Sequence, residues 1–353
     1  MAVFIHGAEV KNPDKPLKGT WDLKAEKVWE INELKGEVLA WPTITIAAEG
    51  IIYLFDMKHG LNYIIDERGK IISTFGKKGQ GPGEVNNQAW LLTLKEKLVI
   101  YDFPSKIHFF SANGQYIKSS TTSIGTIPYF FTSDTQYISA PPPTREGGKI
   151  QLVNFQEGTK KELADVSFKL ISGPDRRIIV LPGLTPMLRI GFDPKNQRIY
   201  YGVDTSYTIT VMDFDGNMKN IFSMIRKKSI ISDSFKISTI KHHLRGSSIP
   251  TAPDSAYKII PNEIPYFTSV QIHNGWVLVL INPLENQWKQ QSIDIFSQEG
   301  KYTYRTTFTP EATLLNNLNF GETVIIKQGY LYAILEDEEG EIKLAKYKII
   351  LPE

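Results

Sequence analysis

Residues 44–74 read ITIAAEGIIYLFDMKHGLNYIIDERGKIIST, four short apolar runs separated by turns at Glu49-Gly50, after Asp56 and at Gly69. Such spacing predicts a four-stranded antiparallel meander with short hairpins. The unit returns at residues 90–120, where LVIYD replaces YLFD and Ser111-Ala112-Asn113-Gly114 replaces the turn at Gly69. Further copies lie at 137–158, 198–216 and 276–300, and a sixth, at 323–350, stops after its third strand. The second strand of the unit is an almost unbroken apolar run: Ile51 to Phe55, Leu98 to Tyr101, Ile199 to Val203, Trp276 to Ile281 and Tyr330 to Leu335. A strand of that kind needs both faces covered. In a two-layer sandwich one face of each sheet would be wet, so the pattern selects blades stacked face to face around an axis.

The 353 residues would ordinarily suggest two domains. The repeat instead predicts one all-β domain, a six-bladed β-propeller of four-stranded antiparallel blades over 1–353. Blades 1 to 6 are assigned to residues 44–74, 90–120, 129–166, 188–224, 268–308 and 319–350, with an insertion at 225–267. Blade 6 lacks a fourth strand, and residues 21–31 (WDLKAEKVWEI) alternate in a way that suits one. Pairing them with the strand ending near Ile349 would close the ring and remove two open edges. Within the insertion, Phe235, Ile240 and Leu244 could share a helical face capped by Ser232.

Composition narrows the partners. Forty Lys+Arg against 38 Asp+Glu leave a formal charge of +2, too little for a nucleic-acid or anionic-membrane partner. With no cysteine there is no disulfide and no thiolate chemistry. No run of 18 apolar residues is present, so no transmembrane helix is expected, and a monomer is expected. Residues 1–19 lack the pattern of an export signal. The expected setting is periplasmic or cell-surface if a signal was trimmed, and cytoplasmic if the chain is complete.

Loop lengths are asymmetric. In a four-stranded blade the first and third turns share one end of the ring, while the second turn and the inter-blade connections share the other. Every long connection, at 75–89, 141–149, 172–187, 225–267 and 283–291, falls on that second end, which is therefore the expected working face. Candidate ligand-binding residues there are His59, Lys77, Lys78, Arg145, Arg176, Arg177 and Trp288, with Tyr129 and Tyr266 as further stacking surfaces. The cations favour an anionic group, although surface loops also carry Lys and Arg for solubility.

The motifs do not add up to an enzyme. The FGKKGQGPGEV loop (75–85) has the glycines and lysines of a phosphate cradle but not the Gly-Lys-Ser/Thr of a Walker loop, and Pro82 removes a donor. Neither HExxH nor G-x-S-x-G occurs. Asp56, Asp102 and Asp204 each end a second strand, where Asp usually accepts hydrogen bonds from its own turn. An Asp-x-x-Gly hairpin followed by FG-x-x-GxGPGE resembles the NHL-repeat-like six-bladed β-propellers of bacteria, most clearly over residues 50–120. That resemblance implies the fold and an exported setting, without an activity. The expectation is a non-catalytic binding scaffold for a protein, peptide or glycan, with no cofactor. The alternative is a metal-dependent hydrolase or lyase with a divalent cation in the central channel.

Overall fold

The computed structural model describes residues 9–47, 49–122, 126–142, 146–172, 178–179, 183–244, 256–283, 289–315 and 322–352. The chain forms a six-bladed β-propeller. Blade 1 is built from Pro42–Ile46, Ile52–Asp56, Leu61–Ile65 and Ile71–Phe75, hydrogen-bonded in sequence order. Blade 2 runs from Gln88–Leu94 to Tyr116–Thr121, blade 3 from Ile127–Phe131 to Thr159–Val166, blade 4 from Leu188–Asp193 to Met218–Ile225, and blade 5 from Phe267–His273 to Tyr302–Phe308. Blade 6 contributes Val324–Lys327, Tyr330–Glu336 and Ile342–Ile349. The second strands are buried on both faces: Ile52–Asp56 throughout, and Tyr137–Ala140 as completely as its counterparts.

Wedge-shaped interfaces between blades are filled by aromatic rings, whose edge-to-face or stacked contacts add to their burial. Ring centroids lie 5.7 Å apart for Phe75 and Phe110, 5.9 Å for Phe109 and Phe131, 4.8 Å for Phe130 and Phe192, 5.0 Å for Phe222 and Phe296, and 4.9 Å for Phe308 and Tyr347. These pairs join blades 1 to 6 in succession. The seam from blade 6 back to blade 1 is held differently. There the Trp29 indole N–H and Lys346 Nζ both donate to the Glu67 carbonyl at 2.9 Å, and Lys346 stands 4.0 Å above the Tyr330 ring. Gly69, at φ +83, lets Trp29 lie on this turn; a Cβ there would come within 3.0 Å of the indole.

The expected closure is observed. Ala25–Ile31 pairs antiparallel with Ile342–Ile349, from Ala25 opposite Ile349 to Ile31 opposite Leu344. A bulge between Lys27 and Trp29 interrupts the simple alternation, turning Val28 outward and Trp29 and Ile31 onto the core. The residues before this strand hold a feature that periodicity does not reveal. Glu9–Pro13 adds a fifth, parallel strand outside Met218–Ile225 of blade 4. Leu17, Lys18 and Trp21 then donate to the carbonyls of Tyr302, Thr303 and Arg305 on blade 5, at 3.0, 2.8 and 2.7 Å. Residues 9–31 thus form one strap over the outer edges of blades 4, 5 and 6.

In the insertion the helix spans Asp233–Leu244, and Ser232 Oγ caps it by accepting the Phe235 N–H at 3.1 Å. Phe235 packs with Leu184, Ile231, Ile260 and Ile264 in a small satellite core. Buried Lys236 donates to the Ile260 carbonyl at 2.9 Å, pinning the helix to the returning chain.

Candidate binding site

Each blade begins with its innermost strand, whose first residues face the axial channel at the end that carries the inter-blade connections. On blade 4 this strand reads LRIGFD, and the cation Arg189 interrupts the apolar pattern. Its Nε donates to Asp204 Oδ2 at 3.0 Å, while the other oxygen of this fully buried carboxylate accepts the Met187 N–H at 2.9 Å. Burial pushes the Asp204 carboxyl up to about 6, against the pull of Arg189. Arg189 Nη2 is buried and has no hydrogen-bond partner among the described residues, an arrangement that costs free energy unless something completes it.

Glu322 stands beside this group, just ahead of the first strand of blade 6. It accepts hydrogen bonds from the Ser269 hydroxyl and, at 3.0 Å, from Gln271 Nε2, both on the inner strand of blade 5. Gln271 is itself fixed, donating to the Val324 carbonyl at 2.6 Å and accepting the Ile326 N–H at 2.8 Å. Glu322 is exposed as a residue, while the protein around its carboxyl pushes it up to about 7; the Ser269 hydroxyl and Arg189 oppose the shift. On blade 3, half-buried Tyr129 is pushed up to about 12 by burial, and again Arg189 opposes the shift. The Trp90 ring lies 6.4 Å from that of Tyr129. Inner strands of blades 2 to 5 and the start of blade 6 therefore supply two aromatic faces, one incompletely paired guanidinium and a carboxyl that titrates near neutrality.

Of the other residues singled out in the sequence, His59, Lys77 and Lys78 lie within the described residues. His59 Nδ1 is 3.1 Å from Asp56 and its Nε2 is 3.8 Å from Glu37. Lys77 is largely exposed and pairs with Glu84 at 3.0 Å, and the Lys78 backbone bridges to Val85. Arg145, Arg176, Arg177 and Trp288 lie outside the described residues. The glycine-rich loop already contains its own anion: Glu84 accepts the Gly81 N–H at 2.9 Å, and a Cβ on Gly79 would fall 2.1 Å from the same carboxylate oxygen. That occupancy explains glycines and lysines at this spacing without a phosphate.

The three strand-ending aspartates serve structure. Asp56 accepts the Ala40 N–H at 3.0 Å, Asp102 the Asn87 N–H at 2.6 Å, and Asp204 that of Met187, so each anchors the chain entering its own blade. Asp102 also lies 3.3 Å from His108 Nε2, and Ser119 Oγ lies 3.0 Å from His108 Nδ1. The order resembles a catalytic triad, but His108 has no exposed surface, and burial lowers its pKa, so the ring is neutral. With the proton on Nε2 facing Asp102, Nδ1 accepts from Ser119, tying together three strands of blade 2. Among the described residues, no group of three or more His, Asp or Glu is placed to hold a metal ion, and no helix is long and apolar enough to cross a membrane.

Comparison with known proteins agrees with this geometry. Residues 42–162 match the DUF5128 family, described as a 6-bladed beta-propeller. The matched segment takes in blade 1, blade 2 and most of blade 3. No curated protein matches the sequence. Among solved structures, a DUF4221-family protein from Bacteroides vulgatus is similar at 9% identity and a TM-score of 0.59, covering 94% of this chain and 99% of its own. A candidate exported protein from Bacteroides fragilis is similar at 11% identity and a TM-score of 0.55, covering 98% and 100%. At such identities the likeness speaks to fold alone.

Proposed function

We propose that this propeller is a non-catalytic binding scaffold that seats a protein, peptide or glycan over the channel mouth formed by Trp90, Tyr129, Arg189 and Glu322. The supporting observation is the buried Arg189 Nη2, without a hydrogen-bond partner among the described residues and held in place by an Asp204 that is itself anchored to the backbone. A ligand oxygen placed there would complete the guanidinium, and the two rings beside it offer stacking surfaces. The periplasmic or cell-surface setting belongs to the same reading and rests on the resemblance to exported propellers.

Binding to immobilised peptide and glycan arrays tests the assignment. Arg189→Gln should weaken the best-bound probe by about tenfold or more, the equivalent of losing one charge-assisted hydrogen bond. Equal binding by the variant and the parent would remove the channel mouth from the site.

Glu322 supplies a second test. Its folded-state carboxyl holds a proton more firmly than the unfolded one. The stability it contributes is therefore full below the ordinary glutamate pKa and is lost as pH rises through about 7. Buried Asp204 acts in the same sense. Measured by urea unfolding at acidic and mildly alkaline pH, the parent should lose stability relative to Glu322→Gln on going to the higher pH. Parallel behaviour of the two proteins would show that Glu322 is not held in a desolvated site.

A further inference from the structure

A cavity of about 530 Å³ opens between blades 3 and 4, and none of Trp90, Tyr129, Arg189 and Glu322 lines it. Its size falls within the range of about 300–1,000 Å³ typical of small-molecule sites. Its wall is unusual for an inter-blade face. The third strand of blade 4, Thr208–Asp213, turns Thr208, Thr210 and Met212 toward blade 3 and Ile209 and Val211 toward blade 5. Met212 is buried against blade 3, as an interface position requires, whereas the two threonines are half-buried and line the cavity. Thr205 and Ser206 from the neighbouring turn and Ser167 from the end of blade 3 bring the lining to five serine and threonine hydroxyls. The hydroxyls of Ser167, Thr205 and Thr208 make no hydrogen bond to another described residue. The half-buried Tyr201, paired across the sheet with Thr210, adds an aromatic ring, and Asp165 and Lys169 add charges that cancel.

We propose that this cleft is a carbohydrate site, separate from the channel mouth, that takes a neutral oligosaccharide. Hydroxyl groups both donate and accept, so a wall of threonine and serine meets the hydroxyls of a sugar in whichever direction each points. A tyrosine ring beside them offers an apolar surface to the C–H face of a pyranose. An anionic ligand would find, among the described residues of the lining, one cation, Lys169, with Asp165 set against it. Were these positions simply core, valine would fill the volume of threonine without a hydroxyl to satisfy.

The test titrates the isotope-labelled full chain with maltotriose, cellotriose and xylotriose at millimolar concentrations and follows backbone amide resonances. At least one of these probes should shift resonances confined to residues 165–169, 201–203 and 205–210. The double variant Thr208→Val/Thr210→Val keeps side-chain volume and β-propensity, and should bind that probe about tenfold more weakly, the loss expected from two hydrogen bonds. Its unfolding midpoint, measured in parallel, should match that of the parent. Glu322→Gln, which alters only the channel mouth, should bind the saccharide as the parent does, so failure of the channel-mouth reading and failure of this one are separately visible. No shift with any probe, shifts centred on the channel mouth, or equal binding by the double variant would each overturn the proposal.

Discussion

A chain lacking residues 1–31 should be insoluble, or should melt without cooperativity about 5 °C or more below the parent, as removal of several kcal/mol of tryptophan packing from a protein of this size implies. Three losses coincide. The strand Ile342–Ile349 becomes an open edge, which is a template for aggregation. The seam from blade 6 to blade 1 loses Trp29 and its bond to the Glu67 carbonyl. Blade 5 loses Trp21, which packs on Tyr304 with ring centroids 5.5 Å apart and donates to the Ile350 carbonyl at 2.9 Å. Restricting the deletion to residues 1–14 should have a smaller effect, because the ring stays closed while the losses are the parallel strand on blade 4 and the contacts of Asn12 and Asp14 with blades 4 and 5. Solubility and thermal unfolding followed by circular dichroism measure both. If the longer deletion melts like the parent, the strap is an ornament and the ring is held by the aromatic interfaces alone.

Asp294→Ala should cost about 3–5 kcal/mol, the usual consequence of deleting one member of a buried charge network. Asp294 is fully buried in blade 5. It accepts the hydroxyl protons of Tyr207 at 2.7 Å and Tyr302 at 2.6 Å, and the Arg305 Nε proton at 2.8 Å. Arg226 Nη2 is also 2.8 Å away, as an ion pair and not as an aligned hydrogen bond. Burial pushes the Asp294 carboxyl up and Arg226 opposes it. Burial would by itself lower Arg226, but Asp294 and Tyr207 more than reverse that and keep the guanidinium charged. Without the carboxylate, two cations and two hydroxyls are left facing one another. Asp14 of the strap bridges the same pair, 2.7 Å from Arg226 Nε and 3.3 Å from Arg305 Nη2, but it is partly exposed. Asp14→Ala should therefore cost about 1 kcal/mol or less. Urea unfolding of the two variants gives the comparison, and equal effects would mean that solvent reaches the Asp294 network.

The repeated second strand was readable because burial on both faces leaves a local mark, an unbroken apolar run such as Tyr330 to Leu335. The closing strand was readable for a related reason: one blade was a strand short and residues 21–31 alternated. Even there the bulge at Lys27/Trp29 was invisible, since the residue turned outward, Val28, is as apolar as those turned in. The strand Glu9–Pro13 (EVKNP) has too little hydrophobic periodicity to announce itself. It is placed by Asn12, which is buried between blades 4 and 5. That side chain donates to the carbonyls of Ser223 at 3.1 Å and Gly300 at 2.9 Å, and accepts the Tyr302 N–H at 2.9 Å.

The candidate site was legible only in part. Tyr129 was picked out as a stacking surface, and the long-connection end as the working face. Arg189, Ser269, Gln271 and Glu322 were missed because the search followed the loops, whereas the first three lie on inner strands and Glu322 directly precedes one. The usable signal was a charged or amide residue breaking an apolar strand, as in LRIGFD and FTSVQIH.

Sequence by itself determined the number of blades, the order of strands and the means of closure, because each depends on hydrophobic contacts between segments adjacent along the chain or on one unmatched edge. Only the tertiary structure decided which polar groups meet at the axis and which hydroxyls share the cleft between blades 3 and 4. Those meetings depend on the angle at which successive blades turn about the axis, a sum over many interfaces that no local run of residues records.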